Sequence, residues 1–150
     1  MAAGSDEQGP GLFLIPIDGR APHRLVSGQV VNPVWSPHGD LIVYGGPMVG
    51  GRVPLLGVKP DGTRVELPDV RAGRGGSHRF LPDGTGLVYV PYPPSRDFWL
   101  LDLATKKTRQ LTHLGDHGKF SAFDITPDGK EIVFDRLRDN SDIVLIDLPK

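Results

Sequence analysis

The sequence predicts an all-β fold built from repeated antiparallel units, and two observations carry the prediction. The first is a proline-centred segment that occurs three times. Trp35-Ser36-Pro37-His38-Gly39-Asp40-Leu41-Ile42-Val43-Tyr44 is followed by Phe80-Leu81-Pro82-Asp83-Gly84-Thr85-Gly86-Leu87-Val88-Tyr89 and then by Ile125-Thr126-Pro127-Asp128-Gly129-Lys130-Glu131-Ile132-Val133-Phe134. Pro37, Pro82 and Pro127 are spaced by 45 residues each time, and the apolar triplets after them keep the same register without a gap. A period of this length marks one supersecondary unit copied several times. The second observation is composition. Twenty glycines and 15 prolines in 150 residues, nearly a quarter of the chain, disfavour long helices and favour many short strands.

Each proline segment reads as a hairpin. Proline sets φ for the second position of a type I turn, Asp or His follows, and Gly takes the left-handed conformation that closes the turn. The strand after the turn carries three adjacent apolar residues instead of strict alternation, as expected of a strand covered on both faces.

Taken in order, Leu12 to Ile17 and Ala21 to Val26 read as two strands joined at Asp18-Gly19. Val53 to Val58, the turn at Pro60-Asp61-Gly62 and Thr63 to Leu67 supply the outer half of the next unit. Phe98 to Leu103 and Thr108 to Thr112 do so in the third unit, and Asp142 to Leu148 remains in the last. Ser95 to Leu114 and Lys130 to Leu148 have helical composition, but the repeat overrides it, because equivalent positions in the second unit hold Pro60 and Gly62. Residues 1–11 are polar and acidic and read as a flexible leader. The rest, 12–150, divides into unit parts at 12–27, 30–70, 74–113 and 119–148.

Four-stranded units of about 45 residues are the blades of β-propellers. The predicted architecture is therefore a partial β-propeller, with two full blades flanked by two partial ones. Trp35-Ser36-Pro37, Pro82-Asp83-Gly84 and Thr126-Pro127-Asp128-Gly129 resemble the WD-like repeat of TolB-type propellers; His38 and Leu81 depart from its usual Asp and Ser/Thr without disturbing the turn. The resemblance implies a bacterial protein-binding scaffold, such as the periplasmic Tol–Pal component or the sensor tail of a kinase. The alternative it implies is the propeller portion of an enzyme, either a prolyl-oligopeptidase-like hydrolase or a metal-dependent oligogalacturonate-type lyase. Rings usually hold about four to eight blades. The sequence thus reads as a piece of a longer propeller, or as one half of a six-bladed ring made by two chains.

Other function classes are narrowed by composition. A formal net charge of −1 gives no reason to expect nucleic-acid binding. The absence of cysteine excludes disulfides and thiolate metal sites. No apolar run is long enough to span a membrane, and the first residues lack the basic start and apolar core of a signal peptide. That pattern fits a cytoplasmic chain, or one whose natural start has been lost.

In an up-and-down blade the turns after the first and third strands share one face of the ring, and the longer connections share the other. Binding usually sits on long loops held by a rigid scaffold. The candidate partner-binding residues on that face are Arg52, Arg74, Tyr92, Arg96, His117, Arg136 and Arg138. Arginine forks suit an anionic or carboxylate-bearing partner, and Tyr92, between two prolines, suits an aromatic contact. His78, His113 and His117 are the residues a metal would use, although glycines beside the last two place them in loops. Arg71 to Ser77 is glycine-rich and basic but lacks a phosphate-loop pattern. No Gly-x-Ser-x-Gly segment is present, and Asp18, Asp61, Asp83 and Asp128 sit where turn aspartates cap backbone N–H groups. No cofactor and no catalytic residue is expected.

Overall fold

The structure is a computed structural model that describes residues 2–73, 77–91, 97–115 and 122–135. These residues form 14 strands and no helix, in four separate antiparallel sheets. The first sheet comprises β1 (Ala2–Asp6), β2 (Gly9–Leu14) and β3 (His23–Ser27). The second runs through β4 (Val31–Trp35), β5 (Ile42–Gly45), β6 (Val53–Val58) and β7 (Arg64–Val65), with β8 (Arg71–Ala72) also paired to β6. The third is β9 (His78–Phe80), β10 (Gly86–Tyr89), β11 (Trp99–Asp102) and β12 (Thr108–Gln110). The fourth shows β13 (Phe123–Ile125) and β14 (Ile132–Phe134). The last expected strand, Asp142 to Leu148, lies outside the described residues, as does most of the second stretch of helical composition. The first such stretch forms β11 and β12 instead.

The three proline turns are the same object. Ser36, Leu81 and Thr126 each donate their N–H to the residue five positions on, at 2.7, 2.9 and 3.0 Å. Gly39, Gly84 and Gly129 each donate back across the turn, and their φ values are 73°, 69° and 71°. Those angles explain the glycine, since a side chain in the left-handed region costs about 1–2 kcal/mol.

Packing between sheets follows from strand alternation. On β5, Ile42 and Tyr44 join a core with Leu12, Val30 and Val58, between the first and second sheets. Val43 points the other way, into a core with Phe80, Leu87, Tyr89 and Leu101 of the third sheet. The third sheet repeats the device: Leu87 and Tyr89 face back, while Val88 faces forward to Phe98, Phe123 and Phe134. Phe98 meets both other rings edge-on, at 4.9 and 5.4 Å. Each such fully buried apolar side chain contributes about 1.5–3 kcal/mol. A strand covered on both faces must be apolar throughout, which is why the first two triplets do not alternate; in the third, Val133 is 62% exposed.

Four segments differ from the expectation. Within the segment read as a flexible leader, Ala2–Asp6 pairs with Gly9–Leu14 through a tight turn at Glu7 and Gln8. The pairing uses the backbone edge of β2, so it leaves no apolar pattern in β1 to read. Arg71–Ala72, expected as loop, adds to the second sheet beside Val53 and Pro54. The outer strands β7 and β12 are also shorter than expected. Among the described residues, no helix is long and apolar enough to cross a membrane.

Candidate interaction face

The short-turn face is dense and self-satisfied. His38 reaches the next blade and its Nε2 lies 3.0 Å from the Asp83 carbonyl. A Cβ on Gly84 would meet the His38 ring at 2.8 Å, and one on Gly129 would meet Pro82 at 3.3 Å. Each turn therefore stacks on the turn one period later. Carboxylates complete the face. The Asp61, Asp83 and Asp128 side chains accept from N–H groups two residues on, at 2.8, 3.0 and 3.2 Å, and Asp102 accepts from Thr105. Hydrogen bonds from Thr63, Thr85 and Thr105 hold Asp61, Asp83 and Asp102 below the ordinary carboxylate range, and Thr126 does the same for Asp128. Ser36, buried in its turn, is bonded to Asp40 at 2.6 Å, which lowers the Asp40 carboxyl as well. These groups are committed to the backbone and to one another.

The opposite face diverges from unit to unit. Ile42 pairs with Val58, whereas its repeat mate Leu87 pairs with Leu101, so the β5–β6 connection is two residues longer than the β10–β11 connection. The extra length folds. Val49 and Arg52 exchange backbone hydrogen bonds of 2.9 and 3.1 Å around Gly50 and Gly51, whose φ values are 59° and 78°. Two successive left-handed residues make a type I′ turn, and the pair Gly-Gly supplies it. The result is a small hairpin with apolar side chains on show: Met48 is 49% exposed and Val49 68%. Arg52, at its base, is exposed too.

Beside the hairpin lies a shallow cleft of about 540 Å³, lined in part by Arg52, Asp69, Arg71, Tyr89, Lys106 and Thr108. Arg71 pairs with Asp69 through two nitrogens, at 2.9 and 3.1 Å. That pair, with Arg52 nearby, holds the Asp69 carboxyl low and raises the Arg71 guanidinium. Burial raises the Tyr89 phenol. Arg52 and Arg71 around one carboxylate, with Lys106 also in the lining, leave the cleft positive.

Of the residues expected to bind a partner, the structure places Arg52 at this cleft. Arg74, Tyr92, Arg96, His117, Arg136 and Arg138 lie outside the described residues. Two of the three candidate histidines are described. His78 is fully buried, with Nε2 3.1 Å from the Val43 carbonyl oxygen, and so ties β9 to the preceding blade. His113 is exposed, and His117 is not among the described residues. Among those residues, no group of three His, Cys, Asp or Glu side chains is arranged to hold a metal ion. Sequence reasoning missed Met48 and Val49; the Gly50-Gly51 pair between Val49 and Arg52 is the signal that marks a hairpin there. It also missed Asp97, whose carboxylate accepts from Leu114 N–H, Thr112 and Gln110 and so pins the outer edge of the third sheet.

No family model and no curated protein matches the chain. Among solved structures it is similar to TolB from Acinetobacter baumannii, with a TM-score of 0.70 over 88% of this chain and 17% sequence identity. The chain spans 33% of the length of that protein. The likeness is one of fold: the chain folds as a TolB-like segment of β-propeller.

Proposed function

We propose that the chain is a non-catalytic propeller module that binds a protein or peptide on its long-connection face. The observation that carries this reading is the Val49–Arg52 hairpin. It holds two exposed apolar side chains at a hydrogen-bonded turn beside a positively charged cleft, and apolar anchors beside arginine are what peptide-binding surfaces use. The likeness in fold to a TolB protein supports a module of this kind. Cationic lining suits a segment rich in Asp or Glu, or a free carboxylate.

The test is selection from a random-peptide display library with the immobilised chain. Acidic sequences with an apolar anchor are expected, and Met48→Ser with Val49→Ser, or Arg52→Glu with Arg96→Glu, should abolish their binding at unchanged melting temperature. Binding that ignores all four substitutions removes the reading. So does tightly held divalent metal that is lost in both His78→Ala and His117→Ala, which would point to the enzyme alternative.

A further inference from the structure

Tyr44 and Tyr89 hold the same place in successive sheets. Each lies two residues past an apolar residue, Ile42 or Leu87, that pairs with Val58 or Leu101. Each is 4% exposed and faces back into the core shared with the preceding sheet. The next strand out puts Arg64 opposite Val58 and Thr108 opposite Leu101. Arg64 is therefore the counterpart of Thr108, and the two tyrosines have different neighbours at one structural position.

The difference decides what each hydroxyl does. Tyr89 is hydrogen-bonded to the Thr108 side chain, and the cleft that these two line has a carboxylate of its own, Asp69. Tyr44 and Arg64 line a separate cleft of about 270 Å³ between the first and second sheets, together with Val26, Leu56 and Val65. A guanidinium carries donors and no acceptor, so Arg64 cannot accept from the Tyr44 hydroxyl. Burial raises the Tyr44 phenol, against a smaller opposing effect of the Arg64 charge, and the group stays a donor at neutral pH. Among the described residues, neither side chain has a hydrogen-bond or ion-pair partner, and no Asp or Glu lines the cleft. One buried donor and one cationic donor thus open on the same small space.

We propose that this cleft binds a carboxylate, one oxygen accepting from the Tyr44 hydroxyl and the other from the Arg64 guanidinium. Charge-assisted bonds of that kind are roughly twice as strong as neutral ones. The apolar walls suit a short aliphatic stem. The volume lies just under the range of about 300–1,000 Å³ for drug-sized sites, which limits the occupant to a small group. The carboxylate is that of a small free acid or of a glutamate side chain in a bound segment. Pro47, which precedes the Val49–Arg52 hairpin, is part of the lining, but neither Met48 nor Val49 is, so the site stands independently of the hairpin's role.

The test is isotope-edited NMR of the whole chain labelled at its three tyrosine rings, with the Tyr44 signal assigned from Tyr44→Phe. Titration with N-acetylglutamate amide and with sodium butyrate should move that signal to saturation. N-acetylglutamine amide, which has the same shape and no charge, should not. The tighter-binding acid identifies the source: butyrate a free acid, the glutamate derivative a peptide side chain. Arg64→Gln should weaken binding by about tenfold or more. Arg64→Thr, which recreates the pair of the third sheet, should abolish it, while the melting temperature holds because Arg64 is exposed. A Tyr44 signal that neither acid moves, equal movement with the glutamine derivative, or unchanged affinity in both Arg64 variants each overturn the proposal.

Discussion

The two faces of the propeller segment obey different rules. On the short-turn face, three turns repeat the same hydrogen bonds at the same 45-residue interval, and each turn leans on the next. On the long-connection face, the equivalent segments differ in length and conformation, and one of them grows a hairpin of its own. The repeated face is held by constraints that every blade shares: a proline, a left-handed glycine, a carboxylate bonded to backbone N–H groups. The divergent face does not repeat those constraints from blade to blade, so residues there can be chosen for something other than folding. Periodicity therefore reports on stability, and departure from it marks where the proposed binding would sit.

The comparison can be broken by finding stability on the divergent face or its absence on the repeated one. The largest effect belongs to the core between repeated sheets. Phe98→Ala removes a fully buried ring stacked edge-on with Phe123 and Phe134, and should cost about 3–5 kcal/mol in urea unfolding. Next come the turn glycines. Gly39→Ala meets no atom within 4 Å, so it should lose only the left-handed penalty of about 1–2 kcal/mol. Gly84→Ala has the same φ but would drive a methyl group to 2.8 Å from the His38 ring, adding about 1 kcal/mol or more. Equal losses in the two variants would mean that the turns do not stack.

The turn carboxylates sharpen the contrast through pH. Asp61, Asp83, Asp102 and Asp128 have folded values below the ordinary 3.8. Their ionised forms are therefore favoured by folding, and the stability they contribute is present above about pH 4. It is lost as pH falls through 3.8 toward the lowered values. Thermal melts at neutral pH and near pH 3 should show this loss, and Asp83→Asn with Asp128→Asn should flatten it. The smallest effect is expected on the other face. Met48→Ser and Val49→Ser should change stability by less than about 0.5 kcal/mol, even where they abolish peptide capture.

The sequence disclosed whatever the repeat enforces. Ile42-Val43-Tyr44 and Leu87-Val88-Tyr89 could be read as doubly covered strands because each residue in the run has a core to face, whereas in the third copy Val133 is exposed. The proline turns were equally plain, since Pro and Gly act through their own backbone geometry. By contrast, β1 was hidden because Ala2-Ala3-Gly4-Ser5-Asp6 pairs by main chain alone. The pairing of β8 was hidden because two residues are too few to show a period. At the candidate site, Arg52 is legible as a candidate from its place in a long connection. Met48 and Val49 were passed over because a short apolar pair carries no sign of whether it will be buried. His78, a candidate ligand by residue type, turned out to be a buried link to Val43, which no local pattern around it announces.

The central claim is that the proline hairpins are inner edges of successive blades stacked at intervals of 45 residues. Proton NMR of the labelled chain tests it most directly. The account predicts nuclear Overhauser contacts between the His38 ring and the Gly84 α-protons, and between the Pro82 ring and the Gly129 α-protons. Spectra in which the hairpins are formed but neither contact appears would contradict it.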